Sequence, residues 1–271
     1  MIIQTSTVKL NVEYFPSLEK NDPFVFLFHG FTGSSADWID IIPRLSEKFS
    51  YAAVDLIGHG KSESREDTKL YTDQSLVQQL DELFNHFTKD RFILIGYSMG
   101  GRTALTYAVH HQEKLSGLVL ESTSAGIDDE KPREERRQAD SKIIKLIEEK
   151  TIDEFVEFWM NQDLFASQKK LSEEKLARSK WFKARNKKVG LINSLKGFGT
   201  GVMPALHDKL HLVKCKTLLI TGELDKKFTQ INSELVKSFL NAEHVVIKDA
   251  GHNVHLERLE EFVSVVMNII K

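Results

Sequence analysis

Continuous apolar runs and segments of helical periodicity alternate along the first half of the chain. A continuous apolar run is typical of a parallel strand covered on both faces, whereas apolar residues three and four apart predict an amphipathic helix. The predicted strands of this half are Val8–Tyr14, Phe24–Phe28, Tyr51–Asp55, Phe92–Ile95 and Leu115–Leu120. A turn is predicted at Glu19–Pro23, and helices at Asp37–Lys48, at Ser75–Thr88 and from Thr103 onwards. Strands that alternate with helices imply right-handed crossovers and a mainly parallel sheet.

The pattern changes in the middle of the chain, where residues 128–201 show no convincing strand. Amphipathic helices are predicted there at Arg133–Lys150, Ile152–Met160, Ser172–Trp181 and Asn186–Leu195. This segment carries its own apolar residues, so it is read as an inserted helical unit instead of a linker. The strand pattern returns at Thr217–Ile220 and Glu243–Ile247, and a last helix is predicted over His255–Ile270. The sequence therefore predicts an α/β fold, with a core formed by residues 1–125 and 202–271 and a helical cap formed by residues 126–201.

Composition excludes several function classes. The 271 residues carry a formal net charge of −2, so no global field attracts nucleic acid or an anionic membrane. The single cysteine, Cys215, rules out an internal disulfide and is expected to be a small core residue. The first residues lack the basic and apolar regions of a signal peptide, and no window approaches 18 uninterrupted apolar residues. We expect a soluble, cytoplasmic protein; its oligomeric state is left open.

The most informative stretch is Gly96-Tyr97-Ser98-Met99-Gly100, which joins a predicted buried strand to a predicted helix. In that context the pattern Gly-x-Ser-x-Gly predicts a nucleophile elbow. A serine on so tight a turn is strained, and the flanking glycines leave room where side chains would clash. The turn also places Ser98 at the positive end of the following helix, where developing negative charge is favoured. The alternative is a glycine-rich turn without chemistry.

Two further candidates, Asp225 and His252, each follow the end of a predicted strand in the second half of the chain. The order Ser98, Asp225, His252 is the order that accompanies a nucleophile elbow. His252 can take the serine proton, and a carboxylate can fix the tautomer of the imidazole and stabilise its charged form. Glu223 and Asp249 are rival carboxylates, and Asp225 is favoured because it lies just after a strand. The backbone N–H groups of Phe31 and Met99 are the candidate oxyanion hole.

The remaining histidines are expected to be structural. His29 is predicted to be a loop residue near the site, and His59 to pack against a neighbouring loop. His207 and His211 have the spacing of a metal pair, but no third ligand is evident, so no metal site is predicted. The run Gly197–Gly201 follows no strand and is not a dinucleotide fingerprint.

Five different short motifs lie along the chain: His-Gly-Phe at residues 29–31, Asp-x-x-Gly-His-Gly-x-Ser at 55–62, Gly-Tyr-Ser-Met-Gly-Gly at 96–101, Gly-Glu-x-Asp at 222–225 and Ala-Gly-His at 250–252. Together they resemble the α/β-hydrolase superfamily across nearly the whole chain. With the cap, Arg102 after the elbow and Asn253 after His252, the chain more narrowly resembles the 2-succinyl-6-hydroxy-2,4-cyclohexadiene-1-carboxylate synthases of the menaquinone pathway. That resemblance implies elimination of pyruvate from a small polycarboxylate substrate, without a cofactor.

The resemblance also implies roles for individual residues. It implies a catalytic triad of Ser98, Asp225 and His252, and substrate-binding roles for Tyr97, Arg102, Arg136, Trp159 and Arg185. Arg137 competes with Arg136 for the first cap position, and neighbours on a helix point about 100° apart, so only one should face the site. Arginine suits a polycarboxylate because its planar fork binds carboxylates in a bidentate manner.

These roles lead us to expect Ser98, deprotonated with help from His252, to abstract a proton beside a ketone instead of forming an acyl-enzyme. Two alternatives are kept. One is a carboxylesterase or carbon–carbon hydrolase with Ser98 as covalent nucleophile, and the other is a non-catalytic receptor on the same fold.

Overall fold

The computed structural model describes residues 1–17 and 23–270, so most of the turn predicted at Glu19–Pro23 lies outside the described residues. Its centre is an eight-stranded sheet with the order β1-β2-β4-β3-β5-β6-β7-β8. The strands are β1 (Ile2–Gln4), β2 (Lys9–Phe15), β3 (Phe24–Phe28), β4 (Ser50–Val54), β5 (Phe92–Tyr97), β6 (Leu115–Glu121), β7 (Lys216–Gly222) and β8 (Ala242–Ile247). β1 and β2 pair in antiparallel fashion, β2 pairs with β4 likewise, and the six remaining strands run parallel.

The central strands are buried because helices cover both faces of the sheet. In β3, Phe26 and Phe28 point to one face and pack with α1 and α2, whereas Leu27 points to the other face and belongs to the apolar cluster that includes Phe262 of the last helix. This alternation is the two-residue period of a strand, applied to a sheet with two apolar sides. It explains why the sequence reads as a continuous apolar run there.

The helices, in chain order, are α1 (Asp73–Phe87), α2 (Met99–His110), α3 (Glu130–Glu149), α4 (Ile152–Met160), α5 (Glu173–Lys183), α6 (Lys188–Phe198), α7 (Lys226–Leu235), α8 (Val254–Glu257) and α9 (Leu259–Val266). Short 3₁₀ helices lie at Ser35–Trp38, Ile42–Arg44, Thr68–Tyr71, Gln112–Lys114, Asp163–Lys170, His207–Leu212 and Val236–Ser238.

The structure describes every residue between β6 and β7 and contains no strand there, which agrees with the helices predicted in this region. We call residues 130–198, from α3 to α6, the helical segment. It buries an apolar cluster of its own, which includes Ile147, Phe155 and Leu191. A capping box starts α4, because Thr151 and Glu154 each accept a hydrogen bond from the other's backbone N–H.

Two helix predictions are wrong. Asp37–Lys48 forms 3₁₀ turns at Ser35–Trp38 and Ile42–Arg44 instead of one helix, and Pro43 is the physical reason because it has no backbone N–H to donate. The last helix breaks at Arg258, whose φ of −137° and ψ of 63° are not helical. Strand β1 is not predicted at all. In the described part of the chain, no helix combines the length and apolarity that a membrane span needs.

Candidate active site

Ser98 occupies the turn between β5 and α2, with φ at +51° and ψ at −107°. A non-glycine residue in this region is strained, and such strain persists only where the surrounding structure enforces it. Close backbone approaches account for the two flanking glycines. A Cβ atom at Gly96 would collide with the backbone of Gly100, and one at Gly100 would collide with the carbonyl of Phe28. The elbow geometry predicted for this sequence is present.

Three polar side chains from separate loops meet at this turn. The Nδ1 atom of His252 lies 2.6 Å from Oδ2 of Asp225, and its Nε2 atom lies 3.1 Å from Oγ of Ser98. Asp225 and His252 are 7% and 1% exposed, so this pair is shielded from water. The carboxylate makes Nδ1 the protonated nitrogen and leaves Nε2 free to accept the serine proton.

The structure also separates Asp225 from its two rivals. Asp225 caps α7, where Oδ1 accepts from the backbone N–H of Phe228 at 3.3 Å, and this leaves Oδ2 for His252. Asp249 is exposed, and Glu223 accepts a hydrogen bond from the backbone N–H of Asp249 at 3.3 Å. Of the three carboxylates, only Asp225 contacts the imidazole of His252.

The Phe31 N–H group lies in the turn after β3, and the Met99 N–H group lies at the start of α2, directly after Ser98. β3 pairs with β5 in the register Phe28↔Gly96, so the turn after β3 runs alongside the elbow. Met99 is the first residue of α2 and therefore has no intrahelical acceptor for its N–H. Neither N–H donates a hydrogen bond to another group in the described part of the chain. Both donors are thus free for a ligand.

Arg102 and Arg136 form a cationic cluster one helical turn beyond Ser98. Arg102 donates its backbone N–H to the Ser98 carbonyl at 3.0 Å, and within the described residues its buried Nε has no partner. Burial, together with the nearby charge of Arg136, lowers the pKa of Arg102. Arg136 donates from Nε to Oδ1 of Asp140 at 2.8 Å. The single carboxylate of Asp140 balances only one of the two guanidinium groups, so the cluster favours binding of an added anion.

Arg137 and Arg185 lie elsewhere. Arg137 pairs with Glu130 and Glu134 and donates to the Gly201 carbonyl at 3.3 Å, whereas Arg136 pairs with Asp140, so Arg136 is the member of the pair that lies near Arg102. Arg185 is exposed, and its guanidinium stacks over the ring of Trp181 at 3.8 Å. Among the described residues, no contact joins Arg185 to the Ser98 turn.

Aromatic side chains of the helical segment cover the imidazole. The ring of Trp159 lies 5.2 Å from that of Phe31 and 5.8 Å from that of Phe165, and Phe165 lies 6.1 Å from the His252 ring. Tyr97 is buried below, with its ring 5.5 Å from that of His252, and burial raises the pKa of its phenol well above the usual value. Trp159 therefore borders the site, whereas Tyr97 packs beneath it as a neutral phenol.

Comparisons with known proteins agree with this geometry. The family model described as alpha/beta hydrolase fold matches residues 23–259. The chain belongs to the α/β-hydrolase family. A protein of Bacillus subtilis (strain 168) with the provisional name 2-succinyl-6-hydroxy-2,4-cyclohexadiene-1-carboxylate synthase is 37% identical, over 91% of this chain and 89% of its own. A protein of Enterobacter sp. (strain 638) named as the same synthase is 28% identical, over 87% of this chain and 86% of its own.

Solved structures give the same result. MenH from S. aureus superposes with a TM-score of 0.91 and 30% identity, covering 96% of this chain and 97% of its own. A thermophilic esterase from Thermogutta terrifontis superposes with a TM-score of 0.83 at 22% identity, covering 100% of this chain and 97% of its own, and shows the shared fold alone. The resemblance to the α/β-hydrolase family, and within it to the synthases, is confirmed.

One residue that the sequence did not reveal secures a loop of this hydrolase-family site. Asn186 is buried between the helical segment and the core, where Nδ2 donates to the Thr32 carbonyl at 2.7 Å and Oδ1 accepts from the Gly60 N–H at 2.8 Å. It thereby fixes the loop that carries Phe31. Its position directly after Arg185 in a charged run gave no signal of burial.

The remaining histidines of the sequence make local contacts. His29 accepts from the Leu56 N–H at Nε2, at 3.0 Å, and donates from Nδ1 to the Gly30 carbonyl. His59 is 1% exposed, and burial lowers its pKa to about 3. His207 pairs with Asp128 at 2.7 Å. Over residues 1–17 and 23–270, no group of three or more histidine, cysteine or acidic side chains could hold a metal ion.

Proposed function

We propose that this chain is a 2-succinyl-6-hydroxy-2,4-cyclohexadiene-1-carboxylate synthase of menaquinone biosynthesis. This carbon–oxygen lyase eliminates pyruvate from 2-succinyl-5-enolpyruvyl-6-hydroxy-3-cyclohexene-1-carboxylate. The observation that carries the proposal is the cluster of Arg102 and Arg136 beside the hydrogen-bonded series Ser98, His252 and Asp225. A general esterase has no need of two guanidinium groups next to its nucleophile, whereas a substrate with several carboxylates does.

The first step is a proton transfer. His252 accepts the Ser98 proton at Nε2, and Asp225 stabilises the imidazolium that forms, through the 2.6 Å contact at Nδ1. The Ser98 alkoxide then removes a proton from the carbon beside the substrate ketone. The electron pair of that C–H bond moves to the ketone oxygen, which becomes an enolate. The N–H groups of Phe31 and Met99 would receive this oxygen, and each such donor contributes about 3–4 kcal/mol in other enzymes.

The second step is the loss of pyruvate. The enolate reforms the ketone and its electron pair becomes the C2=C3 double bond, while the ring C3=C4 pair shifts to C4=C5 and expels the enolpyruvyl oxygen by breaking the C5–O bond. The imidazolium of His252 returns a proton, and the released enol becomes pyruvate. Ser98 regains its hydroxyl proton from the substrate carbon and His252 returns to its neutral form, so Ser98 acts as a base and forms no bond to carbon.

We further propose that residues 126–201 act as the cap over this site, because Trp159 and Phe165 lie close to the imidazole. Their aromatic surface would exclude water and thereby strengthen the charge interactions of the bound carboxylates. Arg136 would bind one carboxylate and Arg102 another. Tyr97 would line the base of the pocket, and Arg185 would take part only by leaving its stacked position on Trp181.

Pyruvate release from the pathway substrate, followed with lactate dehydrogenase, tests the proposal. We expect release by the wild type, none above background with Ser98→Ala, strongly reduced release with Arg102→Ala, and unchanged release with Arg137→Ala as the matched control. Absence of pyruvate from the wild type would contradict the synthase. A covalent Ser98 adduct trapped from the native substrate would indicate the hydrolase alternative. Failure of a fluorophosphonate to label Ser98 would favour the receptor alternative.

A further inference from the structure

A second buried carboxylate–histidine pair lies directly behind the Ser98 turn. We propose that Glu121 and His255 are positioning residues that keep Ser98 and His252 at hydrogen-bonding distance from each other. The proposal rests on the proposed function for its catalytic readout. It concerns residues that touch no substrate and act through Ser98 and His252.

Glu121 contacts both halves of the catalytic pair. Its backbone carbonyl, at the end of β6, accepts the N–H of Ser98 at 2.8 Å. Its carboxylate accepts twice from His255, from the backbone N–H at 3.0 Å and from Nδ1 at 2.6 Å. His255 comes three residues after His252, at the start of α8. Glu121 therefore holds Ser98 through its backbone carbonyl and the segment after His252 through its side chain.

The pair is enclosed on all sides. Glu121 and His255 are 0% and 3% exposed. The His255 ring stacks on Trp38 at 4.5 Å and meets the edge of Tyr97 at 5.0 Å, and Tyr97 precedes Ser98. Packing thus allows the imidazole of His255 little freedom to rotate, and the contact with Tyr97 gives a second connection to the elbow.

The other side of His252 is anchored as well. Glu257 accepts the N–H of Gly251 at 2.8 Å, so the residues on both sides of His252 are held by carboxylates. The Ser98–His252 hydrogen bond joins two loops that are far apart in the sequence, and its length depends on where each loop is fixed. A displacement of about 1 Å between reacting groups can cost a hundred-fold in rate.

A buried carboxylate–histidine pair is weak evidence for stability, because well-packed apolar residues are often as stable in the same place. The structure shows instead how Glu121 is placed. Its carboxylate accepts a hydrogen bond from the segment after His252, and its backbone carbonyl accepts one from Ser98. We infer that its main effect is on the geometry of proton transfer.

Glu121→Gln is the first test, because it keeps the size of the side chain and removes its charge. We expect kcat for pyruvate release to fall about 10- to 100-fold, with KM within about two-fold of the wild type. The rate of fluorophosphonate labelling at Ser98 should fall by a similar factor, and the low-field proton resonance of the His252–Asp225 hydrogen bond should shift. Glu223→Gln, on a neighbouring loop, is the matched control and should leave all three readouts unchanged.

A folded Glu121→Gln protein with wild-type kcat and labelling rate would overturn the proposal, whatever its melting temperature. If that variant does not fold, His255→Asn provides the second test. The asparagine amide places a donor near the former Nδ1, so the protein should fold while the contact with Tyr97 is lost, and the labelling rate should fall. An unchanged labelling rate would contradict us. Labelling needs no native substrate. If the wild type releases no pyruvate but the variants are labelled more slowly than the wild type, positioning is supported and the synthase is refuted.

Discussion

The Nε2 atom of His252 lies 3.1 Å from Oγ of Ser98, although 154 positions separate the two residues along the chain. The parallel sheet makes this contact possible, because Ser98 follows β5 and His252 follows β8 at the same edge. Asp225 follows β7, which lies next to β8, and it completes the series. Three loops that share an edge therefore bring a serine hydroxyl, an imidazole and a carboxylate together.

We expect Asp225→Asn to lower kcat about a thousand-fold or more while leaving the fold intact. An amide in place of the carboxylate no longer stabilises the imidazolium and favours the wrong tautomer of His252. Steady-state pyruvate release measures the effect. Asp249→Asn is the matched control, since it makes the same chemical change on an exposed loop at a φ of 57°, which asparagine tolerates. Equal losses in both variants would contradict the assignment of Asp225.

Arg136→Ala is expected to raise KM about ten-fold or more, because a hydrogen bond to a charged group is worth about 1.5–3 kcal/mol. Arg137→Ala is the control from the adjacent position, where the side chain pairs with Glu130 and Glu134 instead of with Asp140. Initial rates over a range of substrate concentrations separate KM from kcat. A larger effect on KM at Arg137 than at Arg136 would refute this orientation of α3.

Arg185→Ala should raise KM less than Arg136→Ala does, because Arg185 is exposed and stacked on Trp181. The comparison uses the same assay and the same residue type. A KM effect at Arg185 equal to that at Arg136 would show that Arg185 leaves Trp181 to bind substrate.

Asn186→Ala should lower the free energy of unfolding by about 1–3 kcal/mol, since it leaves the Gly60 N–H and the Thr32 carbonyl without a partner. Urea denaturation measures this loss. Asn161→Ala is the control, because Asn161 is exposed and bonds only within its own helix end, to Glu157. A loss of stability no larger than the control's would show that Asn186 does not secure the helical segment to the core.

Acid should destabilise the protein below about pH 6.5, partly through His59. Burial lowers the pKa of His59 to about 3, from an ordinary value near 6.5. Between these values the unfolded chain binds a proton that the folded chain does not, so stability falls as the pH falls. The slope for one such group reaches about 1.4 kcal/mol per pH unit, and His29, whose pKa burial also lowers, adds to it.

Urea denaturation at pH 7.0, 6.0 and 5.0 checks this slope. His59→Asn should be less stable than the wild type at pH 7.0, but its stability should fall less steeply with acid. The asparagine can still donate to the Ile57 carbonyl, which His59 contacts at 3.1 Å, and it does not titrate. Parallel slopes for the two proteins would contradict the role of His59.

The sequence alone was sufficient for the order of strands and helices around the site, because buried parallel strands read as apolar runs and amphipathic helices repeat every 3.6 residues. It was also sufficient to predict the sharp turn at Ser98. The flanking glycines indicate that backbone segments approach there too closely for a side chain. It failed at Asp37–Lys48, where apolar spacing alone gave no weight to the missing N–H of Pro43.

Only the tertiary structure decided which polar groups meet. It selected Asp225 over Glu223 and Asp249, and Arg136 over Arg137. It also revealed the burial of Glu121, whose partner His255 lies 134 positions away. Periodicity records which side of an element is covered, but a hydrogen bond between distant loops depends on strand order and register, and no local pattern in the chain encodes these.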